Sequence, residues 1–392
     1  MKLPIYLDNH ATTRVDPRVA EAMFPYFVEH YGNPASKQHE FGWTAEAAVE
    51  TARSQVASLI GADKGEIIFT SGATESINLA LKGVAETLGT TKNHLITART
   101  EHKAVLDTCK RLEQYDFQVT YLPVDRDGTL APDDVEAALN ERTALVSLML
   151  ANNEIGTIAP VEEIGAICRH RGVIFHTDAA QAVGKILVDV DALQVDLLSM
   201  SAHKMFGPKG IGALYIRSQR PWLELMPQID GGGHEKGLRS GTLNVPAIVG
   251  FGKASEIAHK EPEAEGERVA RLRDMLVEGI MAELDGVHLN GHPTKRLPNN
   301  ANLTFDGVNA DRLMMDMKDI AVSSGSACSS ESPEPSHVLQ AIGLSVDAVL
   351  SSLRFGLGRF TTAEEIAYAV TRVVQTVKAI REKSSRYYVM NS

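Results

Sequence analysis

The chain has 392 residues, 44% hydrophobic and 23% charged, with a formal net charge of −11. This length exceeds one ordinary core and implies a large domain with a smaller one. The acidic balance argues against a generic nucleic-acid surface, which needs a basic patch, and favours small substrates or basic protein partners. No apolar run has the length to cross a bilayer, and MKLPIYLD meets Asp8 before a signal-type segment develops. The expected location is the cytoplasm, with no membrane contact and no direct contact with nucleic acid.

In chain order, YLDNHATT reads as a short strand, and helical periodicity follows from Asp16 to about Glu29 and from Gly42 to Ile60. The pattern then alternates. Apolar, partly β-branched runs at Glu66 to Thr70, His94 to Thr97, Gln118 to Leu122, Ala144 to Leu148, Val173 to Thr177 and Val195 to Ser201 are separated by segments of helical period. One such segment carries Ile77, Leu81, Val84 and Leu88 on a single stripe. Strand-helix alternation predicts an α/β fold, a mainly parallel sheet with helices on both faces, whose ligands bind beyond the carboxyl ends of the strands. After Gly231-Gly232-Gly233 the alternation fades into a long amphipathic helix bearing Val269, Leu272, Leu276 and Ile280, then strand-like pieces around Asn302 to Phe305 and Ala321 to Ser323. The expected division is a large domain over 14–258 and a smaller α+β domain from 1–13 and 259–392.

The segment SMSAHKMFGPKGIG is the centre of the chemistry. Lys204 ends a predicted strand and is followed by Gly207, Pro208, Gly210 and Gly212, which can hold its amine over a concave site. Such an amine forms Schiff bases with carbonyls, and pyridoxal phosphate (PLP) is the cofactor that most often uses one. PLP also needs donors for its phosphate and an acid facing its ring nitrogen. The segment Thr70-Ser71-Gly72-Ala73-Thr74-Glu75 turns a strand into a helix, so backbone N–H groups and the Ser71 and Thr74 hydroxyls can face an anion; an ordinary N-cap is the competing reading. His102 follows a strand and can stack on a planar ring or simply start a helix. Asp178 ends the Val173 to Thr177 strand, where a carboxylate can keep a pyridine nitrogen protonated, and Gln181 can donate to the phenolic oxygen; a capping Asp is the alternative. Asn153 can meet the substrate or the ring, and Ser201 and His203 join the phosphate set. Arg354 and Arg239 are candidates for a carboxylate clamp, Arg354 the better placed by its neighbours Phe355, Gly356 and Gly358. Thr242 lies in a glycine-flanked loop far from the sheet motifs, from which it could reach the phosphate of a second subunit.

The three cysteines have no C-x-x-C spacing and form neither a disulfide framework nor a zinc site, so the chain is assigned no metal of its own. Cys109 shares a helix face with Val105 and Leu112, and Cys168 follows Ile164 and Ile167, which predicts burial for both. Cys328 sits in VSSGSACSSESPEPSHV, a poor strand and a poor helix, and is expected on a mobile, exposed loop as a nucleophile.

The motifs YLDNHATT, FTSGATES, TEHKAV, NNEIG, HTDAAQAVGK, SAHKMFGPKGIG, GGGHEKGLRSGT, SSGSACSS and SLRFGLGRF resemble those of the IscS/NifS-type cysteine desulfurases, from Ile5 to about Thr361. The SGSAC form resembles the long-loop class. The resemblance implies a fold-type-I PLP homodimer that converts L-cysteine to L-alanine and passes sulfur to acceptor proteins, for iron–sulfur cluster assembly on a scaffold protein and for tRNA thiolation. It assigns Lys204 to the Schiff base, His102 to ring stacking, Asp178 and Gln181 to the ring, and Ala73, Thr74, Ser201, Ala202 and His203 to cofactor binding. Thr242 goes to the partner subunit's phosphate, Asn153 to the ligand site and Arg354 to the substrate carboxylate. Cys328, on a loop at about 323–337, carries the persulfide and is a possible shared ligand of a nascent cluster. At its end this chain stops at SSRYYVMNS, where close relatives run on into a longer tail that helps dock the scaffold; docking and partner choice are expected to follow that departure, and the chemistry is not. Two other readings compete, another PLP enzyme such as an aminotransferase or selenocysteine lyase, and a non-catalytic scaffold for sulfur carriers.

Overall fold

The computed structural model describes residues 2–219, 223–260, 262–324 and 335–391, with 262–263 and 384–391 as backbone only. The cysteine segment from 325 to 334, Cys328 included, lies outside the described residues. Thirteen strands are assigned among those described: β1 (Ile5–Tyr6), β2 (Ile67–Thr70), β3 (His94–Ala98), β4 (Gln118–Leu122), β5 (Thr143–Ser147), β6 (Ile174–Asp178), β7 (Leu197–Ser201), β8 (Gly212–Ile216), β9 (Val287–Asn290), β10 (Asn300–Phe305), β11 (Ile320–Ala321), β12 (Ser323–Ser324) and β13 (Ser352–Gly356).

The main sheet runs β2-β8-β7-β6-β5-β3-β4. Only β8 is antiparallel to its neighbours, with Gly212 opposite both Thr70 and Ser201. The expected mainly parallel sheet is therefore present, but as a mixed one: GALYI was not read as a strand, because it follows the glycine-rich turn directly and carries no helical segment before it. Both faces are apolar in alternation. Phe69, Val146, Phe175, Leu198 and Tyr215 pack into one cluster, while Ile68, Leu145, Ile174, Leu197 and Leu214 pack into another. Such strands read as continuous apolar runs because helices cover both sides. Helices Glu40–Leu59 and Val245–Lys260 cover the first face and Ala73–Leu88 with Lys103–Glu113 the second, where Ile77, Leu81 and Val84 are buried as the stripe predicts. The helical stretch expected from Asp16 to Glu29 is divided into Pro17–Met23 and Pro25–Val28, since Pro25 has no N–H for the ladder.

A separate cluster gathers Ile5 and Leu7 with Val269, Leu272, Leu276, Ile280, Leu303, Phe305 and Phe355. Its sheet is β12-β13-β10-β9, packed beneath helices Pro262–Glu283 and Ala363–Asn391. The N-terminal strand folds back onto this part of the chain, pairing Ile5 with Ile320 and Tyr6 with Ala321. The piece expected near Ala321 to Ser323 is two short strands that belong to different sheets. Cys109 and Cys168 are fully buried, and burial pushes the Cys109 thiol up to about 12, which removes it from nucleophilic chemistry.

Candidate active site

All the parallel strands of the main sheet end on one edge, and a cavity of about 490 Å³ opens there. Its wall includes Ala73, Thr74, His102, Asn153, Asp178, Gln181, Ser201, His203 and Lys204, residues spread over more than a hundred positions of sequence. Each comes from a strand end: Ala73 and Thr74 after β2, His102 after β3, Asn153 after β5, Asp178 at the end of β6, and Ser201 to Lys204 after β7. Because β6 and β7 are parallel neighbours with Asp178 opposite Ser199, Asp178 and Lys204 face the same crevice.

At one end of the cavity helix Ala73–Leu88 begins without a side-chain cap. Gly72 occupies the cap position at φ 156°, and Glu75 reaches back to the Ser71 N–H at 2.8 Å. The ordinary N-cap reading therefore fails, and Ala73 and Thr74, which open the helix, line the cavity with Ser201 and His203. Burial, then Lys204, Lys209 and Lys185, hold His203 down to about 4, so it stays neutral at neutral pH; its Nδ1 lies 3.1 Å from Thr12 Oγ1.

Asp178 ends β6 at the other end of the cavity. Its Oδ1 accepts the Ala180 N–H at 3.0 Å, and a turn follows in place of a helix, which removes the capping reading. Burial raises its carboxyl, while the His102 charge, the Ala180 N–H and Lys204 pull the other way. A buried carboxyl of this kind is stabilised as the anion by an added positive partner. His102 is exposed and lines the cavity. Its Nδ1 accepts the Ala104 N–H at 3.1 Å, which leaves the hydrogen of the neutral ring on Nε2. Burial lowers its proton affinity, Asp178 raises it, and Lys204 and His337 lower it. Beneath it Glu101 is fully buried, with Oε1 accepting the Met149 N–H and Oε2 unpaired; burial holds its carboxyl well above the usual range.

Lys204 lies in a single 3₁₀ turn, Ala202–Lys204, and its amine donates to the His10 and Ala11 carbonyls at 2.6 and 2.8 Å. The N-terminal segment is thus part of the wall, through His10 and Thr12. Residue-level reading did not single these out, although the polar run that follows the apolar start of YLDNHATT was the available signal. Met149, Lys209 and Lys185 were also not singled out.

Some expected residues stand apart. Ala202 is buried and is not in the wall. Arg354 is buried one layer behind it, donating to the Asn153 carbonyl and to Asp8 Oδ1, each at 3.0 Å, with Nε unpaired. Arg239 is committed to Glu75 at 2.9 Å. Thr242 is exposed and outside the wall of this cavity. Ser336 and His337, the described residues just beyond the cysteine segment, dock at the rim on Glu154 Oε2 (2.5 Å) and the Glu101 carbonyl (2.9 Å).

Residues 5–368 match the aminotransferase class-V family model. The chain is 57% identical over 387 residues to the "Cysteine desulfurase IscS" of Anaeromyxobacter sp. (strain Fw109-5), covering 99% of this chain and 96% of that protein. Among solved structures, a "NIFS-LIKE PROTEIN" superposes with a TM-score of 0.90 at 41% identity, covering 96% of this chain and all of that one. "SspA in complex with cysteine" superposes with a TM-score of 0.81 at 40% identity, over 91% of this chain and 100% of the other. Matches of this extent agree with the strand-edge geometry, and the chain belongs to the class-V aminotransferase family, among its IscS/NifS-type cysteine desulfurases.

Proposed function

We propose that this chain is a PLP-dependent cysteine desulfurase, which takes sulfur from L-cysteine, releases L-alanine and hands the sulfur, carried on Cys328, to acceptor proteins for iron–sulfur cluster assembly and tRNA thiolation. The observation that carries the reading is the convergence on one cavity of a lysine amine, a buried carboxyl and an uncapped helix N-terminus. This donor set fits PLP. The Ala73 and Thr74 N–H groups with Ser201 and His203 would hold the phosphate, Asp178 the ring nitrogen, Gln181 the phenolic oxygen and His102 the ring face. Lys204 would bind the aldehyde carbon. When bound, the cofactor supplies an electron-withdrawing ring next to the substrate Cα.

The remaining work falls to the chain. Arg354, which donates to the Asn153 carbonyl and has Nε unpaired, would bind the substrate carboxylate. The Lys204 amine takes the Cα proton as general base. The Cys328 thiolate attacks the substrate sulfur, so that the C–S bond breaks and an S–S bond forms: cysteine plus thiol gives alanine plus persulfide, with no added oxidant or reductant. A homodimer accounts for two further features. Thr242 is exposed and outside its own chain's cavity, and Phe24, Phe27, Tyr31, Phe41 and Trp43, from neighbouring segments, are each at least 50% exposed, with the Tyr31 and Phe41 rings 5.4 Å apart.

The test is a first-turnover assay of the PLP-loaded protein with L-cysteine. Equal alanine and Cys328 persulfide are expected, and Cys328→Ala should bind cysteine yet form no persulfide. Sustained alanine and sulfide production by that variant would reject the role of Cys328.

A further inference from the structure

Gln181 reaches the cavity through an amide whose two ends are chemically opposite, and the protein settles which end is free. Its Oε1 accepts from Lys185 Nζ at 2.9 Å and lies 2.9 Å from His10 Nδ1. Its Nε2 donates one hydrogen to the His10 carbonyl at 3.1 Å, which leaves the second for the cavity. Lys185 follows Gly184, whose φ of 75° turns the chain there, and borders a second, smaller cavity with Asn9, Glu265, Asn299 and Arg359. The acid on that side is already engaged, since Glu265 bonds Arg359 at 2.7 Å. Among the described residues the hydrogen bond of the Lys185 amine goes to Gln181 alone.

We infer that Lys185 is a positioning residue: by donating to the Gln181 amide oxygen it keeps an N–H of Gln181, and not the oxygen, turned toward the phenolic oxygen of the cofactor. The inference rests on the PLP reading. His10 shows why a lysine is needed. In the observed orientation both ring nitrogens face oxygens, Gln181 Oε1 and the Asn299 carbonyl at 3.2 Å, so a neutral imidazole leaves one contact without a proton. Burial, with the charges of Lys185, Arg354 and Lys204, keeps His10 neutral. Reversing the amide would satisfy that neutral ring, with Gln181 donating to Nδ1 and Nε2–H donating to Asn299. The reversed amide would then point nitrogen at the Lys185 amine, an ammonium below about pH 7, and oxygen at the His10 carbonyl. Lys185 therefore tips the balance between two orientations, and without it the acceptor oxygen competes for the cavity-facing position.

An N–H directed at the phenolic oxygen stabilises its deprotonated form and so disfavours a proton shared between that oxygen and the Lys204 nitrogen. The readout is the pH midpoint of the bound cofactor's absorbance in the full chain, with unfolding followed by circular dichroism. Lys185→Met and Gln181→Leu should each raise the midpoint by roughly one unit. The double variant should show no more than the larger single shift, because the lysine acts through the amide. Lys185→Arg, which keeps a donor, should stay near the wild type. An unchanged midpoint in Lys185→Met, or shifts that add in the double variant, would overturn the inference. If the methionine variant does not fold, a Lys185→Arg midpoint displaced as far as that of Gln181→Leu would overturn it instead. A wild-type protein with no cofactor band at all would reject the PLP reading itself.

Discussion

Replacing Gly212 by alanine tests how the phosphate end of the site is built. Gly212 opens β8 between the ends of β2 and β7. A methyl there would stand 2.5 Å from the Met200 carbonyl oxygen and 2.7 Å from Gly72 Cα, with ordinary contact beginning at 3.4 Å. Both neighbours are backbone, so neither can swing away like a side-chain tip. Relieving the two contacts takes about 0.9 Å at the Met200 carbonyl and about 0.7 Å at Gly72, and because β7 is held on both edges by β6 and β8, the Gly72 backbone takes up the movement. Gly72 is the cap of the helix whose first residues, Ala73 and Thr74, line the cavity, so the shift falls on the proposed phosphate donors. A misplacement approaching 1 Å in such a constellation costs on the order of 100-fold, and overpacking costs about 1–3 kcal/mol of stability. The assay is titration of the apo-protein with PLP, followed by absorbance, beside an unfolding curve. Binding weakened roughly 10- to 100-fold in a folded protein is expected. Affinity within twofold of the wild type would refute the argument that Gly212 sets the cradle.

Other outcomes follow from the same structure. Glu235 is held by the Arg53 fork at 2.8 and 2.7 Å and by the Phe69 N–H at 2.6 Å; Glu235→Ala leaves the buried Phe69 N–H without that acceptor, although Arg53 keeps Glu50 and the Ile67 carbonyl, each at 2.9 Å, and the change should cost about 1.5–3 kcal/mol, read from urea unfolding, while a loss under about 1 kcal/mol would contradict it. His176 is wholly buried between the Ser147 and Ser199 hydroxyls, and burial takes it down to about 3. With the folded value below the unfolded one, the unfolded chain binds the proton first, so stability falls as pH drops below about 6.5, by roughly 2 kcal/mol at pH 5. His176→Gln should flatten that slope between pH 7 and 5, and parallel slopes would reject the assignment. Burial and the charges of Lys204 and Arg354 bring Lys185 to about 7; trace acetylation read by mass spectrometry should show its amine half-reactive near that pH, and a midpoint near that of an ordinary lysine would refute it.

What the sequence made legible was the part of the site that local chemistry announces. A lysine before a glycine-rich turn, an acid at the end of an apolar run and small residues at a strand-helix junction each carry their meaning within a few residues, and the parallel strands bring them to one edge. Two competing readings could be removed only with coordinates, since whether Gly72 leaves a helix uncapped or Asp178 opens one depends on backbone angles that composition does not fix. The link of His10 and Lys185 to Gln181 was hidden for a different reason. Neither forms a local pattern with Gln181: His10 meets it across 171 residues, and Lys185, though four residues away, lies on a turn and not on a helix face, where that spacing would have brought the two together. The antiparallel β8 escaped because GALYI follows the glycine-rich turn directly, with no helical segment before it to set it off as a strand. Chemistry-bearing residues can thus be read from their own neighbourhoods, whereas the residues that orient them depend on how the N-terminal segment and the turn after β6 meet, which only the folded chain determines.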